Sequence, residues 1–263
     1  MSETIAAAPA LGRRPRFGFL RVLALVVLAA LAFRSFALSP FTIPSESMLP
    51  GLKKGDYLIA AKWPYGYSRW SLPFGAPLID GTLFARLPQR GDIAIFRHPI
   101  TRTEYIKRVI GLPGDVVALR EGRVVLNGTP VPRRRVADIR LPAATGTPCP
   151  WGATTDRDAG GTAVCRYARF REMLPSGPSY AVLDFGRTAQ DEFGPVNVPA
   201  GHIFMLGDNR DNSQDSRFPA RAGGGVAMVP VGLLVGRFET VLFSTAGWPA
   251  WMTGGSRRGS IAS

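Results

Sequence analysis

The rhythm of apolar positions changes once along this chain. From Phe17 to Phe33 it is almost continuously apolar, broken only by Arg21; beyond Leu38 the apolar runs are short and separated by Gly-Asp and Glu-Gly turns. The first pattern predicts one membrane-length helix, since about 20 apolar residues cross the hydrocarbon core. Arg21 lies one turn inside the run and can snorkel, while Ser35, Phe36, Ala37 and Leu38 extend its far end. The second pattern predicts strands at 56–61, 92–96, 105–110, 116–119, 123–126, 203–206 and 231–243. Glu121-Gly122 closes a tight hairpin between two of them. No later segment keeps a helical period, and 30 Gly and 23 Pro suit a loop-rich β protein. The expected fold is mainly β. An antiparallel β-sheet domain spans 39–126 and 192–245, and a smaller inserted β/loop subdomain spans 127–191. One N-terminal transmembrane helix at 17–38 precedes them, with tails at 1–16 and 246–263.

Charge adds orientation. Arg13, Arg14 and Arg16 precede the apolar run and Arg34 alone follows it closely, which leaves the N-terminus cytoplasmic and sends the rest across. A cleaved signal peptide and a buried core helix are the competing readings. The small-x-small stretch Ala37-Leu38-Ser39 is followed by Pro40, a poor cleavage context, so an uncleaved anchor is preferred. The net charge of +13 suits anionic lipid better than nucleic acid, because the arginines are scattered and no aromatic platform accompanies them. Cys149 and Cys165 are the only cysteines; in an exported domain a disulfide is the simplest reading, against two free thiols. Trp63, Tyr65, Tyr67, Trp70 and Phe74, with Trp248 and Trp251, suit either a headgroup layer or a cap on the core.

The candidate chemistry lies in three segments. In Glu104-Tyr105-Ile106-Lys107-Arg108-Val109-Ile110, alternation puts Lys107 with Tyr105 and Val109, and Arg108 with Ile106 and Ile110. Arg108 cannot shed its proton and needs a carboxylate, whereas a desolvated Lys107 can become a neutral base. Taken alone, Lys107 reads equally as a snorkelling edge residue. In Ile43-Pro44-Ser45-Glu46-Ser47-Met48-Leu49-Pro50, the prolines stiffen a turn that offers the hydroxyls of Ser45 and Ser47. The polar segment from Gly207 to Arg217 fails as a calcium loop: Arg210 stands at the third ligand position and Pro219 at the twelfth. It reads instead as a structural loop of Asp–Arg pairs whose Ser213 hydroxyl could aim the lysine. His98 and His202 read as surface or strand-end residues, not as members of a triad.

Together these segments resemble the bacterial type I signal peptidase (leader peptidase) family, in the family's order, through 43–52, 55–60, 90–96, 105–115 and 207–217. The resemblance implies a membrane-bound serine endopeptidase that removes signal peptides from exported preproteins at Ala-x-Ala-like sites. It implies Ser47 as nucleophile, Lys107 as general base, Ser45 in the oxyanion hole and Ser213 orienting the lysine. Asp215 and Arg217 match an ion pair of the loop, which Asp208 and Arg210 brace. Phe41, Ile43, Pro44, Met48, Leu52, Tyr105 and Ile106 match shallow apolar walls for small substrate side chains. No metal or organic cofactor is called for, and a monomer in the inner membrane with a periplasmic catalytic domain is expected. Glu46 and Gly51 depart from the family pattern, and 127–191 matches it poorly. A serine–lysine autoprotease fused to a regulatory module lacks its DNA-binding helices here. A non-enzymatic membrane-anchored periplasmic binding protein is the other alternative.

Overall fold

The computed structural model describes residues 16–72, 75–143, 149, 153–175 and 177–245. The expectations for Arg13, Arg14, Phe74, Trp248, Trp251 and the C-terminal tail lie outside the described residues. The N-terminal helix runs Arg16–Phe36. Its stretch Gly18–Phe36 is long and apolar enough to cross a membrane, and only 6% of the window tested is buried. The buried-core reading therefore fails, because the helix has no protein interior to pack into. The helix also stops short of the expected 38. Leu38 already opens the strand Leu38–Thr42, and Ser39 Oγ turns back to donate to the Arg34 carbonyl at 2.9 Å. Pro40 obscured this strand in the sequence. At an edge, paired on one side only, proline is tolerated.

The remainder is mainly β. A seven-stranded sheet carries, in spatial order, Leu38–Thr42, Asp56–Ala61, Leu234–Ser244, Ile93–Arg97, Glu104–Gly111, His202–Leu206 and Val229–Pro230. Neighbouring strands in it are antiparallel. The segment Ile93-Ala94-Ile95-Phe96 is apolar throughout because both faces of its strand are covered. Ile93 and Ile95 pack with Met48, Leu52 and Phe238, while Ala94 and Phe96 pack with Ile203 and Met205. A second sheet pairs Phe193–Asn197, Val116–Arg120, Arg123–Leu126 and Thr129–Pro130, and it includes the expected hairpin.

The region read from sequence as a less regular insertion is more ordered than expected. Arg133–Pro142, Thr154–Arg157, Ala163–Met173 and Ser179–Leu183 form a four-stranded side sheet. Its strands escaped notice because arginine fills positions where apolar residues signal a strand. Their stems and guanidinium groups do the covering: Arg133 and Arg135 lie 3.9 and 5.4 Å from the Phe170 ring centroid. Cys149 and Cys165 are disulfide-bonded, joining the loop to the strand Ala163–Met173 across a sequence separation of 16. Cys165 packs with Tyr167, Leu183 and Leu49, so this staple borders the segment that carries Ser47.

Replacing both cysteines by alanine is expected to lower stability by about 3 kcal/mol, the loop-closure value for a loop of this length. Denaturant unfolding of the oxidised chain against the double variant measures it, and added reductant should erase the difference.

Candidate active site

The turn that carries Ser47 grows out of the edge of the large sheet. Ile43 N–H donates to Asp56 O at 2.9 Å and Gly55 N–H returns to Ile43 O at 2.9 Å, pinning the turn at both ends. Met48 and Leu52 are fully buried beneath it. Ser47 is thereby held at 6% exposure, with Ser45 exposed beside it and the two hydroxyl oxygens 3.3 Å apart. Glu46 points outward, as its polarity requires.

Lys107 arrives from the strand Glu104–Gly111. Its Nζ lies 2.6 Å from Ser47 Oγ and donates to the Ile106 carbonyl at 3.1 Å. Only 3% of the residue is exposed. Burial strips water from the ammonium and lowers its pKa from 10.5 to about 8; Asp215 and Asp208 pull it back up, and Arg217 pushes it further down. The adjacent Arg108 solves the same burial differently. Its guanidinium donates Nε to Asp208 Oδ1 at 2.7 Å and Nη2 to Asp208 Oδ2 at 2.6 Å, and Nη1 caps the Gly91 carbonyl at 2.7 Å.

The loop that follows the strand His202–Leu206 closes the site. Asp215 accepts from Arg217 Nε at 2.9 Å and from the Gly207 N–H at 3.1 Å, and Arg217 Nη2 donates to the Arg210 carbonyl at 2.5 Å. Arg210 forms a buried ion pair with Glu172 of the side sheet. Asn209 reaches the Ser47 turn directly: its backbone N–H donates to Ser47 O at 3.0 Å and its Nδ2 to Glu46 O at 3.1 Å. Gly207 admits no side chain, because a Cβ there would collide with Ser213 and stand 2.6 Å from Ser47 O.

A cleft of about 380 Å³ opens over the serine and lysine. Phe41, Ile43, Pro44, Tyr105 and Ile106 line it, with Leu58 and Ile95. Met48 and Leu52 do not. They are fully buried and pack with Ile43 and Ile106, directly behind the walls that those two residues form. Ser213 lines the cleft but makes no hydrogen bond to Lys107; its buried Oγ has no hydrogen-bond partner among the described residues. His98 is buried, not at the surface, because its Nδ1 accepts the Ile100 and Thr101 N–H groups and its Nε2 lies 3.1 Å from the Gly225 carbonyl. That bonding leaves it a structural turn residue. Sequence reasoning missed Asn209, Glu172 and Tyr180. Asn209 sat inside the segment already singled out, whereas Glu172 is a lone acid in an arginine-rich strand and gave no local signal.

The signal peptidase, peptidase S26 family model matches residues 16–243, which takes in every element of this site. The chain belongs to that family. Signal peptidase I of Rickettsia typhi is 35% identical over 230 residues, covering 84% of this chain and 77% of the relative. That of Rickettsia felis is 37% identical over 204 residues, covering 74% and 69%. A crystal structure of a signal peptidase I from Enterococcus faecalis is 22% identical and covers 58% of this chain and 97% of its own, with a TM-score of 0.30. Membership makes the protein a membrane-associated signal-peptidase-type serine endopeptidase acting on preproteins, and it sets aside the non-enzymatic binding-protein alternative.

Asp208→Asn, which leaves the Arg108 cation buried and unpaired, is expected to cost about 3–5 kcal/mol of unfolding free energy. Joint replacement by Arg108→Met and Asp208→Leu should cost less than the single change, because no charge is then left alone. Urea unfolding in detergent distinguishes the two.

Proposed function

We propose that Ser47 is the nucleophile and Lys107 the general base of an endopeptidase that cuts preproteins after small-x-small sites. The observation carrying this reading is the buried amine 2.6 Å from a buried serine hydroxyl, with a pKa lowered to about 8. Ser47 Oγ bonds to the scissile carbonyl carbon as its proton passes to Lys107 Nζ. The resulting oxyanion is met by the Ser45 hydroxyl and the Ser47 N–H. The C–N bond breaks, Lys107 returns the proton to the leaving amine, and a water deprotonated by Lys107 hydrolyses the ester. Ser213, whose hydroxyl lacks a partner among the described residues, supplies a donor or acceptor to the lysine once substrate fills the cleft. Asp208, Arg210, Asp215 and Arg217 keep the loop in place. Phe41, Ile43, Pro44, Tyr105 and Ile106 select small side chains, because an apolar pocket rejects larger ones by overlap.

The same reading sets the topology. Residues 1–16 lie in the cytoplasm and the helix crosses the inner membrane. A periplasmic monomer follows, with its catalytic core at 39–126 and 192–245 and an inserted subdomain at 127–191. Support for lipid contact comes from the hairpin Tyr67–Ser68 with Thr82–Leu83. Tyr67 OH donates to the Phe36 carbonyl at the helix end at 2.9 Å, and the two rings meet edge-on at 5.3 Å. Beyond it, Phe84 is 79% exposed and held at φ 53°, a left-handed conformation that a phenylalanine adopts only at a cost. Neither its backbone nor protein packing rewards an aromatic there, whereas the interface of a bilayer does. Exposed Trp63, Leu83 and Leu87 extend the same surface, and exposed Arg69 and Arg86 suit anionic headgroups.

Purified full chain in detergent is expected to cut a precursor carrying an Ala-x-Ala site, with Ser47→Ala and Lys107→Ala each losing on the order of 10⁴-fold or more in kcat. Cleavage by Ser47→Ala at the original rate would falsify the assignment. Because the base must be neutral, kcat/KM should rise with pH through about 8 and be lost below it; a flat profile from pH 6 to 10 would exclude Lys107 as the base.

For the lipid surface, the variant Leu83→Ser with Phe84→Ser should slow precursor cleavage several-fold in anionic vesicles. It should leave cleavage of a short soluble peptide in detergent unchanged, and equal effects in both assays would argue against lipid contact.

A further inference from the structure

Asn209 is flanked by two residues in buried ion pairs. Asp208 is tied to Arg108, Arg210 is tied to Glu172, and Asn209 between them holds the carbonyls of Glu46 and Ser47. Arg108 belongs to the large sheet, but Glu172 comes from the strand Ala163–Met173 of the side sheet. It is 1% exposed. Its Oε1 accepts from Arg210 Nη1 at 2.9 Å, and its Oε2 accepts from Arg210 Nη2 and, at 2.8 Å, from the Tyr180 hydroxyl. Both pairs share one wall, since the Arg108 guanidinium lies 4.2 Å from the Tyr180 ring centroid. Next along, the Leu183 N–H donates to the Asp208 carbonyl at 2.9 Å.

We propose that Glu172 is a positioning residue for peptide cleavage. By clamping Arg210 it fixes Asn209, and through Asn209 the backbone of Ser47. The side sheet is thus a brace for the nucleophile as well as an appendage of the core. A buried carboxylate is costly unless it is well paired, and every partner of this one lies either in the loop beside Ser47 or on the strand that supports it. The proposal rests on Ser47 being the nucleophile.

The test is steady-state cleavage of an Ala-x-Ala precursor by the full chain in detergent. It compares the unmodified protein with Ser47→Ala, Glu172→Gln, Glu172→Asp and Tyr180→Phe, each checked for folding by circular dichroism. Displacing an oriented nucleophile lowers turnover more than binding. Glu172→Gln should therefore lower kcat on the order of 100-fold while KM stays within about twofold. Glu172→Asp, which keeps the charge, should recover part of the loss. Tyr180→Phe keeps the ring beneath Arg108 and removes only the hydroxyl, and should lower kcat several-fold. Unchanged kcat in folded Glu172→Gln, or a change confined to KM, overturns the proposal. If Glu172→Gln does not fold, Tyr180→Phe decides by the same criteria. A Ser47→Ala chain that cuts as fast as the unmodified one, or an unmodified chain that cuts nothing, overturns the reading of Ser47 instead.

Discussion

The constraint on which the structure turns is the burial of two adjacent cations in one strand. Lys107 and Arg108 are 3% and 1% exposed, and alternation sends them to opposite faces. Neither can stay charged in a dry interior without compensation. Arginine keeps its proton at any accessible pH, so a carboxylate must be brought to it, and Asp208 is. Lysine has the other way out. Among the described residues no carboxylate bonds it; its partners are a hydroxyl and a carbonyl, and desolvation lowers its pKa to about 8. One burial problem thus yields a structural clamp on one face and a candidate base on the other.

That division explains why the loop after His202–Leu206 is so densely charged yet so well buried. Asp208 serves Arg108, Asp215 serves Arg217, and Arg217 in turn caps the Arg210 carbonyl. The pairs satisfy one another and leave the polar backbone groups of the loop to reach the turn that carries Ser47, as Asn209 does. The same carboxylates set the Lys107 environment, since Asp215 and Asp208 raise its pKa and Arg217 lowers it. The scaffold therefore also sets how far the lysine pKa falls.

The strands and the candidate site's main residues were legible where each leaves a local trace. Period-two runs between Gly-Asp turns marked Asp56–Ala61 and Arg123–Leu126 to the residue, and a lysine interrupting an apolar run marked Lys107. Traces fail where the partner is distant or the chemistry is shared. The burial of Met48 and Leu52 behind Ile43 and Ile106 had no such trace, because an apolar side chain says nothing about which side of the turn it faces. The side sheet hid because its arginines cover aromatic rings with their stems and planar heads, a use of charge that hydropathy counts as exposure. Glu172 was invisible for a related reason: its meaning depends on Arg210, which follows it in the chain by 38 residues.

A lysine as the proposed base also bears on the rest of the architecture. A histidine titrates near neutrality in water and can work in an open cleft, whereas a lysine becomes a base only if the protein keeps it dry. Ser47 and Lys107 are both nearly inaccessible, so the cleft above them must admit a substrate backbone without admitting bulk. A cleft walled by Phe41, Ile43, Pro44, Tyr105 and Ile106 suits this. It keeps the amine desolvated, and the proposed selection of small side chains would use the same walls. On this argument, selectivity for small residues follows from the need to hold a lysine neutral. A wider pocket would accept larger side chains but would also let in water, raise the Lys107 pKa and remove the base.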